Sequence, residues 1–173
     1  MFSRVAIWRG IYSRAMLLRE HIGFYTDLRR FDDLPFKVET FFGARSLVTV
    51  PEYLYYYRLS RPGQDVSVDD QRLFVHFEIF QHLNARILPE NDRQLVDNLQ
   101  LCKIQTHRYA VNKLQAPYRK DYVRQAALDL KTTGSFLRTL RLARRELGKR
   151  AALYYLGFTL KSTTLLRLLR KQK

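Results

Sequence analysis

Apolar positions follow a helical period through most of the second half of this chain. From residue 69 onwards, apolar side chains recur every three or four residues, and the first stripe comprises Leu73, Phe77, Phe80 and Leu83. Pro89 ends this helix, and Asn91 or Asp92 can cap the next one, which is predicted to run to about Leu114. Pro117 interrupts the pattern, and a further helix is predicted over residues 118–130.

The first third of the chain carries two helical signals. Residues 5–20 place apolar side chains near one face of a helix, at Ile7, Ile11, Ala15 and Leu18. Gly23 breaks this pattern. Residues 32–35 read Asp-Asp-Leu-Pro, an acidic cap followed by a proline in the first turn, and they predict a helix that runs to Phe42 and stops at Gly43.

Two short strands are predicted between these helical parts. Residues 46–50 are rich in β-branched side chains, and Pro51 separates them from a tyrosine-rich second strand at residues 53–58. Residues 61–65 read as a loop. The predicted fold class is therefore α/β, mostly helical, with two short strands. Since such a pair buries little surface, we expect it to join an existing sheet.

Charge divides the chain. The 31 basic and 16 acidic residues give a net charge of +15, and residues 136–173 hold 11 of the basic residues and a single acid. We predict one domain at residues 1–131, a Thr-Thr-Gly-Ser linker at 132–135 and a basic amphipathic helical tail at 136–173. Such a tail favours anionic partners, either lipid headgroups or nucleic acid. A helix that docks its apolar face on the body of the protein is the alternative for the same pattern.

Other sequence features bear on the cellular compartment in which the protein is expected. The lone Cys102 excludes an intramolecular disulfide and suits a reducing cytosol. The start of the chain has no apolar core typical of a signal peptide. The longest nearly uncharged apolar run, at residues 151–160, is about half the ~20 residues that a membrane-spanning helix needs.

Several side chains are candidates for chemistry. Asp32 and Asp33 suit a helix cap, and the same position suits a carboxylate base, because a helix N-terminus favours negative charge. Arg58 and Arg61 could bind phosphate oxygens in a bidentate way. The four histidines show no metal-ligand spacing and are interpreted as surface or hydrogen-bonded core residues.

The order of these segments resembles one half of a known enzyme family. Trp8–Arg14 reads WRGIYSR, residues 31–36 read FDDLPF, and residues 55–63 read YYYRLSRPG. Together they resemble the acceptor-side half of family 2 glycosyltransferases, whose fold is called GT-A. The resemblance covers roughly residues 5–80. It implies the C-terminal part of a GT-A domain, followed here by a helical extension.

The resemblance implies an inverting transfer of a sugar from a nucleotide-sugar donor to a glycan or lipid-linked acceptor, in cell-surface polysaccharide biosynthesis. Asp33 would be the general base and Asp32 would support it. Arg58 and Arg61 would bind the donor diphosphate. The acceptor would contact the aromatic residues Trp8, Tyr12 and Tyr56.

The family also implies a divalent metal, Mn²⁺ or Mg²⁺, held by an Asp-x-Asp motif. No Asp-x-Asp occurs in these 173 residues. We therefore expect a truncated or separately encoded piece that has no transferase activity by itself. The expected location is cytoplasmic and peripheral, at the inner face of the membrane, with residues 136–173 on anionic lipid.

Two other functions fit the composition. One is a non-catalytic adaptor at the membrane surface. The other is a basic nucleic-acid-binding module, suggested by the charge and the interleaved aromatics. Nucleic acid is the less expected partner, because most of the net charge is in one tail and no known nucleic-acid-binding motif is present.

Overall fold

The computed structural model describes residues 6–28, 30–56, 58 and 68–171. These residues form eight α-helices and three 3₁₀ turns, the latter at Ile7–Arg9, Gln71–Phe74 and Leu88–Glu90. The α-helices are α1 (Arg14–Arg19), α2 (Asp33–Gly43), α3 (Val75–Ile87), α4 (Arg93–Lys113), α5 (Ala116–Lys131), α6 (Phe136–Leu147), α7 (Lys149–Thr159) and α8 (Thr163–Lys171).

The α/β prediction is wrong. No described residue lies in a β-strand, including residues 46–50 and the described part of 53–58. Val48 is 87% exposed and Tyr53 is 99% exposed, so this segment buries little of its apolar surface. β-branched and aromatic side chains favour a strand only where a neighbouring strand supplies hydrogen bonds and a packing face. The described residues supply neither.

The predicted helix over residues 5–20 is also wrong in extent. The chain makes a 3₁₀ turn at Ile7–Arg9, becomes extended at Gly10, and enters α1 only at Arg14. The Ser13 side chain accepts a 3.4 Å hydrogen bond from the Met16 N–H and so caps α1. Ile11 is fully exposed. A local cap therefore decided where this helix begins, against the apolar period.

Two predicted helix starts are confirmed. Helix α2 begins at Asp33 and ends at Gly43, and it buries Leu34, Phe36 and Val38. Helix α4 begins after Asp92, whose side chain accepts hydrogen bonds from the N–H groups of Gln94 and Leu95 at 2.7 and 3.1 Å. The Asp92 side chain thus caps α4. The predicted side-chain cap of α2 is wrong, because Asp32 makes no capping hydrogen bond, although the acidic Asp33 lies in the first turn, where negative charge is favoured.

The chain divides into two compact units, the first ending at Ser67 and the second beginning at Val68. The sequence analysis placed its boundary instead at residues 132–135, which form the turn between α5 and α6. The second unit is a helical assembly in which α4 contacts α3, α5, α6 and α7. Its fully buried side chains include Leu99, Ile104, Leu130, Tyr154 and Phe158.

The basic tail is part of this second unit. Residues 136–171 form α6, α7 and α8, and these helices pack on one another and on α4 and α5. Their apolar sides are buried at Leu142, Ala143, Ala151, Phe158, Leu166 and Leu169. These apolar side chains of the tail thus belong to the protein core, whereas Leu137 and Leu168 are exposed. Within the described part of the chain, no helix combines the length and apolarity needed to cross a bilayer.

Candidate functional site

The predicted base lies at the start of α2 in the first unit. Asp33 is the first residue of this helix and is half-buried, and the preceding Asp32 is exposed. Lys37 follows one turn later. Burial, together with the positive charge of Arg9, lowers the pKa of Lys37, while the charge of Asp33 opposes that change. The Asp33 carboxylate therefore lies in a mixed-charge surface at a helix N-terminus, where negative charge is favoured.

Tyr12, a predicted acceptor residue, is fixed against α2. Its hydroxyl donates a 3.1 Å hydrogen bond to the Ile7 carbonyl, and its ring meets the Phe36 ring edge-on at 5.2 Å. Burial raises the pKa of Tyr12. Phe24 stacks on the same Phe36 ring at 4.7 Å. Part of the Tyr12 ring is thus committed to packing on Phe36, a residue of α2.

The other predicted residues are exposed or outside the described residues. Trp8 is 44% exposed, and its ring centre lies 6.4 Å from that of Tyr55. Tyr56 is 94% exposed, and Arg58 is also exposed. Arg61 lies outside the described residues. The structure therefore pairs Trp8 with Tyr55, a tyrosine that the sequence analysis did not assign to the acceptor.

Sequence reasoning also missed Glu39. It is a buried carboxylate on α2, 5% exposed, and it accepts a short hydrogen bond from the Tyr25 hydroxyl. A charged residue within the apolar run of α2 was the available signal. Buried carboxylates are either paired structural groups or functional ones. The hydrogen bond from Tyr25 pairs the Glu39 carboxylate, so a structural role accounts for its burial.

A buried polar network occupies the core of the second unit. The Lys103 ammonium donates to Asp129 Oδ1 at 2.8 Å and to Thr133 Oγ1 at 3.0 Å. His107 Nε2 lies 2.8 Å from Asp129 Oδ2, and His107 Nδ1 lies 2.9 Å from the Tyr122 hydroxyl. Burial raises the pKa of Asp129, but His107 and Lys103 outweigh it, so the net shift is downward. Every one of these groups has a hydrogen-bond partner.

The network contains residue types common in active sites, but its surroundings indicate a structural role. Lys103 and His107 have no exposed surface. Burial lowers the pKa of His76 to about 3, and His76 Nδ1 lies 3.4 Å from the Tyr122 hydroxyl. Burial also raises the pKa of the nearby Cys102 thiol to about 12, so this thiol is unreactive. The prediction of hydrogen-bonded core histidines is confirmed for His76 and His107.

A group of basic side chains forms a surface pocket in the second unit. This cationic pocket, of about 230 Å³, is lined by the basic residues Arg119, Lys120, Arg167 and Arg170. The first two lie in the first turn or so of α5, and the other two are three residues apart on α8. The sequence analysis treated α8 as part of an undivided tail and did not bring these residues together. Their meeting depends on how α5 and α8 pack.

The described part of the chain offers no metal centre. Among the residues that the structure describes, no group of three or more His, Cys, Asp or Glu side chains could hold a metal ion. The described side chains therefore provide no set of ligands for the divalent cation that the resemblance implies.

Comparisons with known protein families, with curated proteins and with solved structures found no match. The interpretation of this chain therefore depends on its own residues and their geometry.

Proposed function

We propose that the first unit supplies the catalytic base and acceptor surface for an inverting sugar transfer to a glycan or lipid-linked acceptor. The observation that carries this proposal is the position of Asp33, a partly accessible carboxylate that opens α2. It lies in the same compact unit as the exposed Trp8 and the fixed Tyr12. Aromatic rings bind the face of a sugar and a carboxylate base removes the proton of its hydroxyl, and this unit contains both kinds of residue.

The chemical step assigned to Asp33 is proton removal. The acceptor hydroxyl gives its proton to the Asp33 carboxylate as its oxygen attacks the anomeric carbon of the donor sugar. The bond from that carbon to the donor phosphate breaks, and the nucleoside diphosphate leaves with the electron pair. One displacement of this kind inverts the anomeric configuration. Asp32, exposed and adjacent, is assigned a supporting role beside the base.

The acceptor and the donor diphosphate use different residues. Trp8 offers an exposed ring face to a sugar, with Tyr12 and Tyr56 as further aromatic contacts. Arg58 and Arg61 are assigned to the diphosphate, because a guanidinium group matches two phosphate oxygens. Since the sequence has no Asp-x-Asp, the nucleotide sugar and its Mn²⁺ or Mg²⁺ would be held by residues outside this sequence.

The test is to replace Asp33→Asn in the native host and to measure sugar incorporation into polysaccharide or lipid-linked product. Losing a general base should lower the transfer rate by ~10²–10⁴-fold. Asp27→Asn is a matched control, because it removes the same charge from an exposed position in the same unit. Full incorporation by the Asp33→Asn protein, at normal protein level, would remove Asp33 from the reaction.

A second proposal concerns location. Arg141 and Arg144 are exposed on α6, while Leu142 and Ala143 between them are buried. The outward side of this helix is therefore cationic, and we propose that it holds the protein peripherally on the anionic cytoplasmic face of a membrane. Each basic residue near such a surface contributes ~1 kcal/mol to the free energy of membrane binding.

This second proposal predicts an attachment that is mainly electrostatic, because Leu142 and Ala143 of α6 are already buried in the protein. Arg141→Gln/Arg144→Gln should reduce co-sedimentation with anionic phospholipid vesicles, and high salt should release the unmodified protein. Vesicles of neutral phosphatidylcholine serve as the control surface. Equal binding to neutral and anionic vesicles would contradict an electrostatic attachment.

A further inference from the structure

The cationic pocket has an unusual charge arrangement for a surface cavity. Four basic side chains line it, and none of its lining residues is acidic. The remaining lining side chains are small, apolar or hydroxyl-bearing: Val111, Ala116, Val123, Thr163, Thr164 and Leu166. Like charges gathered in one cavity repel each other, so an anion bound there would be stabilised by all four.

One of the four cations is held in place by the protein. Arg119 Nε donates a 2.7 Å hydrogen bond to the Leu114 carbonyl, which fixes the guanidinium plane beside the pocket. Burial lowers the pKa of Arg119, and the positive charges of Arg170 and Arg167 lower it further. The guanidinium groups are thus close enough to act on one another. A fixed guanidinium loses less conformational entropy when it binds an anion.

The backbone also contributes positive charge at the cationic pocket. Ala116 is the first residue of α5, and Thr163 is the first residue of α8, and both line the pocket. The two helix N-termini therefore contribute partial positive charge at the same cavity. The hydroxyl groups of Thr163 and Thr164 are further hydrogen-bond donors. Leu166, which is 3% exposed, packs beneath them and ties α8 to the core.

From this geometry we infer that the cationic pocket is a binding site for a phosphate group carrying two or more negative charges, such as a phosphomonoester or a diphosphate. Four cations, two helix N-termini and hydroxyl donors match the several oxygens of such a group. The volume of about 230 Å³ is below the ~300–1,000 Å³ typical of pockets that enclose whole organic ligands. The pocket therefore takes the phosphate, and the rest of the molecule stays outside.

Two kinds of molecule present such a phosphate, a lipid headgroup and a soluble phosphorylated compound. The pocket requires only the phosphate chemistry that they share. It belongs wholly to the second unit, and it depends neither on the sugar-transfer proposal nor on the attraction of α6 to membranes.

The test is calorimetric titration of the full chain with inorganic pyrophosphate and with inorganic phosphate. Arg167→Gln/Arg170→Gln removes two pocket cations from exposed positions on α8. It should weaken binding at least ~10-fold, because each lost hydrogen bond to a charged group costs about that factor. Arg93→Gln/Lys131→Gln is the matched control, with the same charge change at two exposed positions that do not line the pocket, and should bind as the unmodified chain does. Circular dichroism checks that both variants keep their helices.

A vesicle comparison then distinguishes the two sources. If the ligand is a lipid headgroup, the chain should prefer phosphatidic acid over phosphatidylglycerol at matched surface charge, and only the α8 variant should lose that preference. If the ligand is soluble, pyrophosphate binds in the pocket and the vesicle preference is absent. Equal weakening of pyrophosphate binding by both variant pairs, or no pyrophosphate binding at low salt, would overturn the proposed site.

Discussion

At the residue scale, the buried histidines show how a residue suited to catalysis can serve stability instead. His76 and His107 both lie near the Tyr122 hydroxyl, in the core of the second unit. Burial lowers the pKa of both rings, to about 3 for His76. The sequence predicted that such residues would be satisfied, because they lacked ligand spacing. It could not show that they share one tyrosine, since Tyr122 is distant from His76 along the chain.

The lowered pKa of His76 predicts a loss of stability in acid. Below its ordinary pKa of 6.5, the unfolded chain gains a proton at His76 that the folded chain does not accept. The free energy of unfolding should therefore fall as the pH decreases from about 6.5 towards 3, with a slope of up to ~1.4 kcal/mol per pH unit from this residue. Urea denaturation at a series of pH values measures this change in the free energy of unfolding.

The variant His76→Gln should flatten that slope. His107 remains in this variant and keeps part of the pH dependence. An unchanged slope in the His76→Gln protein would contradict a lowered pKa of His76 in the folded state.

At the element scale, local signals predicted helix ends better than they predicted strands. Asp92 marks the start of α4 because a side-chain cap acts within one turn of its own residue. Asp33 marks the start of α2 because negative charge is favoured in the first turn of a helix. The strand prediction at residues 46–50 failed because a strand depends on a partner elsewhere, and the described residues provide none. The contact of α7 with α8 was equally unpredictable, since it depends on a glycine that faces a leucine from another helix.

At Gly157, α7 lies close to a side chain of α8. A Cβ atom at Gly157 would lie 2.7 Å from Leu166 Cδ2 and 3.0 Å from Leu166 Cγ. We predict that Gly157→Ala lowers the free energy of unfolding by ~1–3 kcal/mol through overpacking, despite the better helix propensity of alanine. Hydrogen exchange should show reduced protection of the α8 amides.

A double-mutant cycle isolates this contact. Leu166→Ala alone should cost ~2–4 kcal/mol, because it removes a buried leucine side chain. In the Leu166→Ala background, Gly157→Ala should become neutral or stabilising, since the clashing methyl groups are gone. Additive effects of the two substitutions would contradict the close approach of the helices.

At the scale of the whole molecule, the charge of the chain and its architecture divide it in different places. The sequence separates a cationic tail at residue 136, whereas the packing separates two units at residues 67 and 68. Hydrophobic periodicity identified the apolar faces of the tail, but it could not tell a membrane surface from the protein's own core. The cationic pocket likewise becomes visible only when α5 and α8 are assembled.

The sugar-transfer proposal depends on the first unit binding a glycan beside Asp33. The most direct measurement is a ¹⁵N-NMR titration of the full chain with a panel of oligosaccharides taken from bacterial and eukaryotic cell-surface polysaccharides. The indole N–H of Trp8 gives a unique signal, because the chain has one tryptophan. Our account predicts that a bound glycan shifts this indole signal and the Asp33 amide, and that Trp8→Ala weakens the binding. Glycans that shift only amides beyond Ser67, or a panel that shifts none, would contradict it.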